Sequence, residues 1–188
     1  MIDMEDRCTV CDVAAEANPV SATHASHPYI DKAAIVGVGE YRVLDGPGHL
    51  ACLGLGSCVG IAIYDLHAQI GGLAHAMLPH YEEGRDKVNA AKYADSSIML
   101  MVDELVEMGA TRSRLRAKIA GGAQMFSFIS SDTLNIGKRN YKAAILTLKS
   151  EHIRLIGEDT GGTRGRTIFF STADGSYHVK MGNYQFEI

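Results

Sequence analysis

With 188 residues, 46% of them hydrophobic and 21% charged, the chain is long enough for one domain with a real core. A net charge of −4 argues against a general nucleic-acid binder, since phosphate neutralisation needs clustered Lys and Arg. No stretch reaches the roughly 18 apolar residues of a membrane-spanning helix, which argues against membrane insertion.

Residues 1–32 are rich in Ala, Asp, Ser and Thr and show neither a strand nor a helix period, which predicts a flexible N-terminal extension. Residues 33–188 are then expected to form a single domain. The acids Asp3, Glu5, Asp6, Asp12 and Glu16, with no apolar stretch, are unlike a secretory signal, so a cytoplasmic location is expected. There Cys8, Cys11, Cys52 and Cys58 should stay reduced. Cys8-x2-Cys11 followed by His24-x2-His27 has the ligand order of a small zinc site. Its histidine spacing is one residue short and a zinc-finger core is absent, so a plain tail is the competing reading.

Ile35, Val36 and Val38 suggest a strand, followed by another at 41–44 and a turn at Asp45-Gly46-Pro47-Gly48. His49 to Leu55 reads as a strand running into a glycine bend, and Val59 to Tyr64 as a buried strand. Asp65-Leu66-His67-Ala68 is a tight turn, and Gln69 to Leu78 returns as a strand ended by Pro79. Ala94, Ile98, Met101, Leu105 and Met108 recur at three and four, predicting a helix over 86–108 stopped by Gly109. The basic run Arg112, Arg114, Arg116 and Lys118 reads as a solvated helix end or edge strand. A strand at 115–120, a helix at 138–149, a strand at 153–156 and a hairpin pairing 166–171 with 177–181 complete the series. Many strands and few helices argue for a mixed, largely antiparallel sheet with two main helices packed on it.

Gly54-Leu55-Gly56-Ser57-Cys58 places a cysteine behind a glycine-rich bend, as a nucleophile would be placed, and His75 follows seventeen residues later on the next apolar run. A hairpin pivoting between Leu66 and His67 would set Asp65 opposite Ala68, Ile63 opposite Ile70 and Cys58 opposite His75. Opposed antiparallel residues share a face, with Cβ atoms roughly 4.5–5.5 Å apart, within reach of a shared proton. Each residue alone is more often a packed core residue; their pairing beside the bend is what points to chemistry. The backbone amides of Gly56, Ser57 and Cys58 are candidates for an oxyanion hole.

Leu53-Gly54-Leu55-Gly56-Ser57-Cys58-Val59 and Ala74-His75-Ala76-Met77-Leu78-Pro79 resemble the chemoreceptor glutamine deamidases, the CheD family. Gly37-Val38-Gly39-Glu40-Tyr41, Lys92-Tyr93-Ala94-Asp95, Ala117-Lys118-Ile119-Ala120-Gly121-Gly122-Ala123, Asn135-Ile136-Gly137 with Arg139-Asn140, and Glu158-Asp159-Thr160-Gly161-Gly162 extend the resemblance, in order, from about residue 33 to the end. It implies an α/β (α+β) sandwich that hydrolyses glutamine side-chain amides of chemotaxis receptors to glutamate, releasing ammonia through a cysteine thioester. It implies chemoreceptor cytoplasmic domains as substrate and partnership with a CheC-type phosphatase in chemotaxis systems that have one; the expected mechanism requires no metal or organic cofactor. It maps the nucleophile onto Cys58 and the general base onto His75. The family's third active-site residue, a threonine six before the cysteine, corresponds to Cys52 here, a larger and weaker donor.

The expected mechanism is attack by a Cys58 thiolate whose pKa is lowered by a nearby imidazolium and by backbone donors. Residues 82–85 and 124–133 are loops that could flank an open site, with Met125 and Phe126 facing either a partner or the core. A receptor- or CheC-binding adaptor with weak or no catalysis is the alternative from another class, and a cysteine peptidase is a third reading. No chemical role follows from the sequence for Arg139 or Asn140.

Overall fold

The structure, a computed structural model, describes residues 32–85, 87–125 and 135–188. Strands β1 (Ala34–Ile35), β2 (Tyr41–Asp45), β3 (His49–Leu55), β4 (Val59–Asp65) and β5 (Ile70–Ala76) precede helix α1 (Ala94–Glu107) and β6 (Arg116–Gly121). Helix α2 (Ile136–Ser150), β7 (Arg154–Thr160), β8 (Arg166–Ser171), β9 (Tyr177–Met181) and β10 (Tyr184–Glu187) follow. The strands form two sheets, ordered β1-β3-β8-β9-β10 and β2-β5-β4-β6-β7. Each is antiparallel except for one parallel pair, β1 with β3 and β6 with β7. The expected α+β sandwich with two helices is borne out, and its strands are split between two layers.

Side-chain alternation explains the layering. Val59, Ile61 and Ile63 of β4 pack with Ile98, Met101 and Leu105 of α1 and with Ala143, Ala144 and Leu148 of α2. The intervening Ala62 and Tyr64 face the other sheet, with Leu50, Cys52, Leu55, Ile168, Phe170 and Tyr177. Every residue of β4 is buried because both faces are covered, which is why it reads as a continuous apolar run. The turn at 45–48 is thus a corner between sheets, since β2 and β3 belong to different ones.

Helix α1 starts at Ala94, the first residue of its apolar stripe, and not at the expected residue 86. Tyr93 is extended (φ −102°, ψ 139°), Leu78 bridges to it, and the Lys92 carbonyl accepts from the amides of Met77 and Leu78 at 2.9 and 3.0 Å. A 3-10 turn at Ala90–Lys92 and the extended Tyr93 therefore precede the helix, which can begin only after them. The stop at Gly109 is as expected, with φ +107° beyond the Met108 cap. Helix α2 begins two residues early because the Asn135 side chain caps it, accepting from the Lys138 amide at 2.9 Å. Strand β10 was not foreseen in the sequence; it follows Gly182 (φ +57°) and pairs antiparallel with β9.

The basic run, expected as a solvated helix end or edge strand, is divided: Arg112 and Arg114 are exposed on a 3-10 turn, while Arg116 and Lys118 lie on β6. Strand β6 lies inside its sheet, between β4 and β7, and the nearly buried Lys118 donates to the Gly175 carbonyl at 2.8 Å. Arg114 pairs with the fully buried Asp65 (Nη2–Oδ2 2.7 Å). Burial alone would raise the Asp65 carboxyl; the Arg114 guanidinium and the Thr111 and Ala68 amides outweigh it and bring it down to about 2. No described helix is long and apolar enough to cross a membrane.

Candidate active site

The β4–β5 hairpin differs from the expected register by two residues. Asp65 opposes Ile70, Ile63 opposes Gly72 and Gly60 opposes His75. The cause is a four-residue loop, in which Asp65 Oδ1 accepts from the His67 and Ala68 amides (3.1 and 3.3 Å) and Gln69 turns the chain at φ +56°. A two-residue shift preserves the face, whereas a one-residue shift would have reversed it. His75 therefore shares the inter-sheet face with Gly60 and Leu73. Cys58, two residues before Gly60, packs against the same inter-sheet cluster from the end of the β3–β4 bend.

His75 is 1% exposed. Its Nδ1 lies 3.3 Å from the Val36 carbonyl, which can only accept, so the contact places the ring proton on Nδ1. Nε2 is then the basic nitrogen, and it is buried with no hydrogen-bond partner among the described residues. A buried imidazole nitrogen left without a partner is costly to the fold and is what a general base facing a reacting thiol requires. The strand carrying it is fixed on both sides of the ring, with the His75 amide donating to Glu40 O (2.9 Å) and its carbonyl accepting from Gly39 N (2.8 Å).

The loop carrying Cys58 is clamped through three successive carbonyls. Gly56 O accepts from the Ala123 amide (2.9 Å), Ser57 O from Asn140 Nδ2 (2.9 Å) and Cys58 O from the Gly122 amide (2.7 Å). Glycines make this approach possible. A Cβ on Gly121 would sit 2.3 Å from Cys58 O, and one on Gly137 would sit 2.4 Å from Gly122 O. Helix α2 thereby starts directly on the backbone that holds the bend, and the fully buried Asn140 reaches it one turn later. Among the described residues no backbone carbonyl accepts from the amides of Ser57 or Cys58.

Cys58 is half-buried, and burial pushes its thiol up more than its own amide pulls it down. Burial also pushes the His75 imidazole down, against the Val36 carbonyl contact that would raise it. Both groups are therefore neutral near pH 7. These directions run against the expected lowering of the thiol by an imidazolium, which needs a charged ring beside it.

The family profile described as CheD chemotactic sensory transduction matches residues 77–181, more than half of the chain. The chain belongs to the CheD family. A Pyrococcus abyssi protein named probable chemoreceptor glutamine deamidase CheD is 46% identical over 145 residues, covering 77% of this chain and 89% of its own. Proteins of the same name from Archaeoglobus fulgidus and Moorella thermoacetica are 47% and 50% identical, covering 78% and 77% of this chain and 91% and 88% of their own. Alignments of that length within this chain necessarily take in the segment from Cys52 to His75. Among solved structures, Bacillus licheniformis hypothetical protein YfiH aligns with 74% of this chain and 63% of its own at a TM-score of 0.45 and 16% identity, a likeness too distant to bear on function.

Cys52, expected from the resemblance to stand in for a threonine, is fully buried on β3, in the sheet opposite His75. Its Sγ lies 4.0 Å from the Ala74 carbonyl, a weak contact, and burial followed by the neighbouring Cys58 pushes its thiol well up. The orienting partner of His75 is instead a backbone carbonyl, which no side-chain pattern can announce. Tyr177 also escaped sequence reasoning: its hydroxyl donates to Gly60 O at 2.9 Å, directly opposite His75. Two hollows, of about 430 Å³ around Leu53, Gly54, Phe169 and Lys180 and about 180 Å³ between Gly122, Asn135 and Gly162, lie beside the bend, and neither is lined by Cys58 or His75. Cys8, Cys11, His24, His27 and Phe126 lie outside the described residues; Met125 is half exposed beside Gly56.

Proposed function

We propose that this CheD-family chain hydrolyses glutamine side-chain amides of chemoreceptors to glutamates, with Cys58 as nucleophile and His75 as general base. The observation that carries the reading is the buried, unpartnered Nε2 of His75, with its proton held on Nδ1, on the face against which Cys58 packs. The substrate class rests on the relatives, which are named chemoreceptor glutamine deamidases.

In the first half-reaction Nε2 takes the Cys58 proton as sulfur attacks the amide carbon. The carbonyl oxygen gains negative charge and is met by the outward amides at the bend, those of Ser57 and Cys58, with Gly56 supplying the flexibility of approach. The imidazolium then protonates the departing nitrogen, the C–N bond breaks, ammonia leaves and a thioester remains. In the second half, Nε2 takes a proton from water, the hydroxide oxygen attacks the thioester carbon, and the C–S bond breaks. The proton returns to sulfur and a glutamate is released. The third-residue position, Cys52, acts by packing behind the thiol. No cofactor enters any step. The cytoplasmic part of the receptor is the substrate surface, and a CheC-type phosphatase is the partner protein of the domain.

A receptor fragment incubated with the wild-type chain should release ammonia and gain the mass of an amide-to-acid change at particular glutamines. Cys58→Ala should bind the fragment and do neither. Ammonia release by Cys58→Ala at the wild-type rate would remove Cys58 from the role; binding without turnover by the wild-type chain would leave only an adaptor.

A further inference from the structure

Resting on the deamidase reading above, we infer that Asn140 is the positioning residue of the oxyanion hole, turning the Ser57–Cys58 peptide so that the Cys58 amide meets the developing charge. The described peptide bonds are all trans, so each carbonyl and the following N–H point in opposite directions. The carbonyls of Gly56, Ser57 and Cys58 are each drawn to one body, the end of β6 and the start of α2. The N–H groups of Ser57 and Cys58 must therefore face away from that body, which leaves them to meet a substrate carbonyl. For the two flanking carbonyls the anchor is backbone: Ala123 N at 2.9 Å and Gly122 N at 2.7 Å. For the central one it is a side chain, Asn140 Nδ2 at 2.9 Å.

The same amide nitrogen donates to Met77 O at 3.0 Å, just beyond the strand that carries His75. One buried side chain thus fixes the donor side of the site and the exit of the base strand together. Its Oδ1 is buried and has no partner among the described residues. Such an orphan acceptor is costly, and a residue chosen for packing alone would not need it. Both amide hydrogens of Asn140 are committed to this one task. Aspartate, of the same shape, has no hydrogen to offer either carbonyl when ionised.

The test compares wild type, Asn140→Ala and Asn140→Asp in two reactions of Cys58, below each variant's own melting midpoint. Deamidation of a receptor fragment develops an oxyanion. Alkylation of the thiol by iodoacetamide requires the thiolate but develops none. The inference expects kcat for ammonia release to fall about 100-fold in Asn140→Ala, in the range of losing one oxyanion donor. KM and the alkylation rate should stay within about threefold of wild type. A receptor peptide carrying an aldehyde in place of the side-chain amide should also bind the variants far more weakly, because its hemithioacetal oxygen uses the same donors. An unchanged kcat overturns the inference, as does a parallel fall in ammonia release and alkylation. Collapse of the fold in both variants would make Asn140 a structural residue and overturn it too. A wild-type chain that releases no ammonia would instead refute the deamidase reading, so the two failures are separable.

Discussion

Replacing Gly121 by alanine should displace the nucleophile without touching it. Gly121 sits at φ +114°, and a Cβ there would lie 2.3 Å from the Cys58 carbonyl oxygen and 3.2 Å from Val59 Cα, both backbone atoms. Real Cβ contacts do not fall under 3.0 Å, so the carbonyl must retreat by at least ~0.7 Å, the difference between those distances, and a misplacement near 1 Å can cost 100-fold in rate. The retreat also pulls Cys58 O off the Gly122 amide that holds it at 2.7 Å. The backbone penalty alone is about 1–3 kcal/mol. Gly46→Ala isolates that penalty, because Gly46 has φ +97° and nothing within 4 Å of its added Cβ. Both variants should lose stability in urea unfolding. Only Gly121→Ala should also lose kcat, by about 30- to 100-fold in ammonia release at a temperature where both are folded. If Gly121→Ala turns over as fast as Gly46→Ala, the carbonyl clamp does not position Cys58 and the site has been misread.

The pH profile has a definite shape. Burial lowers the His75 pKa from 6.5, so kcat/KM should lose its acid limb only below pH 6.5, where the base becomes protonated. An acid limb centred above 6.5 contradicts the burial of the ring. The unfolded chain takes that proton first, so His75 should also subtract stability as pH falls below 6.5, readable in urea midpoints. Alkylation of Cys58 by iodoacetamide should rise only toward and above pH 9, because burial raises the thiol; a plateau already reached at pH 7 would reveal the ion pair that the structure argues against. Cys52→Ala should keep kcat within about threefold, since Val36, and not Cys52, holds His75 Nδ1. A loss near 100-fold would make Cys52 a working member of the site.

Periodicity carried most of the fold. The strands at His49–Leu55, Val59–Asp65, Arg166–Ser171 and Tyr177–Met181 were legible because their residues are apolar where a neighbouring layer covers them. The start of α1 was not: the expected residue 86 lies ahead of the stripe that begins at Ala94, because nothing in the side chains reports that the Lys92 carbonyl is held by Met77 and Leu78. Nor could alternation say that β2 and β3 part into separate sheets, since a corner and a hairpin share their turn residues. At the site, parity was legible and register was not. The face of His75 follows from odd and even spacing, while the true loop length depends on Asp65 gathering two amides and an arginine from 49 residues away. The contributions of Asn140 and Val36 are hidden for a deeper reason: one acts on peptide carbonyls and the other is a carbonyl, and neither leaves a side-chain pattern.

On the proposed mechanism, that dependence on backbone would let the chain carry cysteine where the resemblance expects a threonine. An imidazole base needs one nitrogen held as a donor and the other left bare, and any fixed acceptor suffices for the first. Here the acceptor is Val36 O, at the end of β1, and Val36 is itself anchored to the first sheet by donating to Ala51 O at 2.8 Å. His75 stands in the second sheet, and Cys58 sits in the bend by which the chain passes from β3 in the first to β4 in the second. The tautomer of the base and the position of the sulfur are thus both set by the spacing of the two sheets. Gly60 keeps that spacing tight, since a Cβ there would come within 2.2 Å of Ile168 Cδ1 in the facing sheet. A residue at position 52 lies inside the same layer and contributes through its volume, which cysteine supplies. A change in the distance between the sheets would withdraw Val36 O from Nδ1, and on the proposed mechanism that single motion would also disturb the approach of Cys58 to the base.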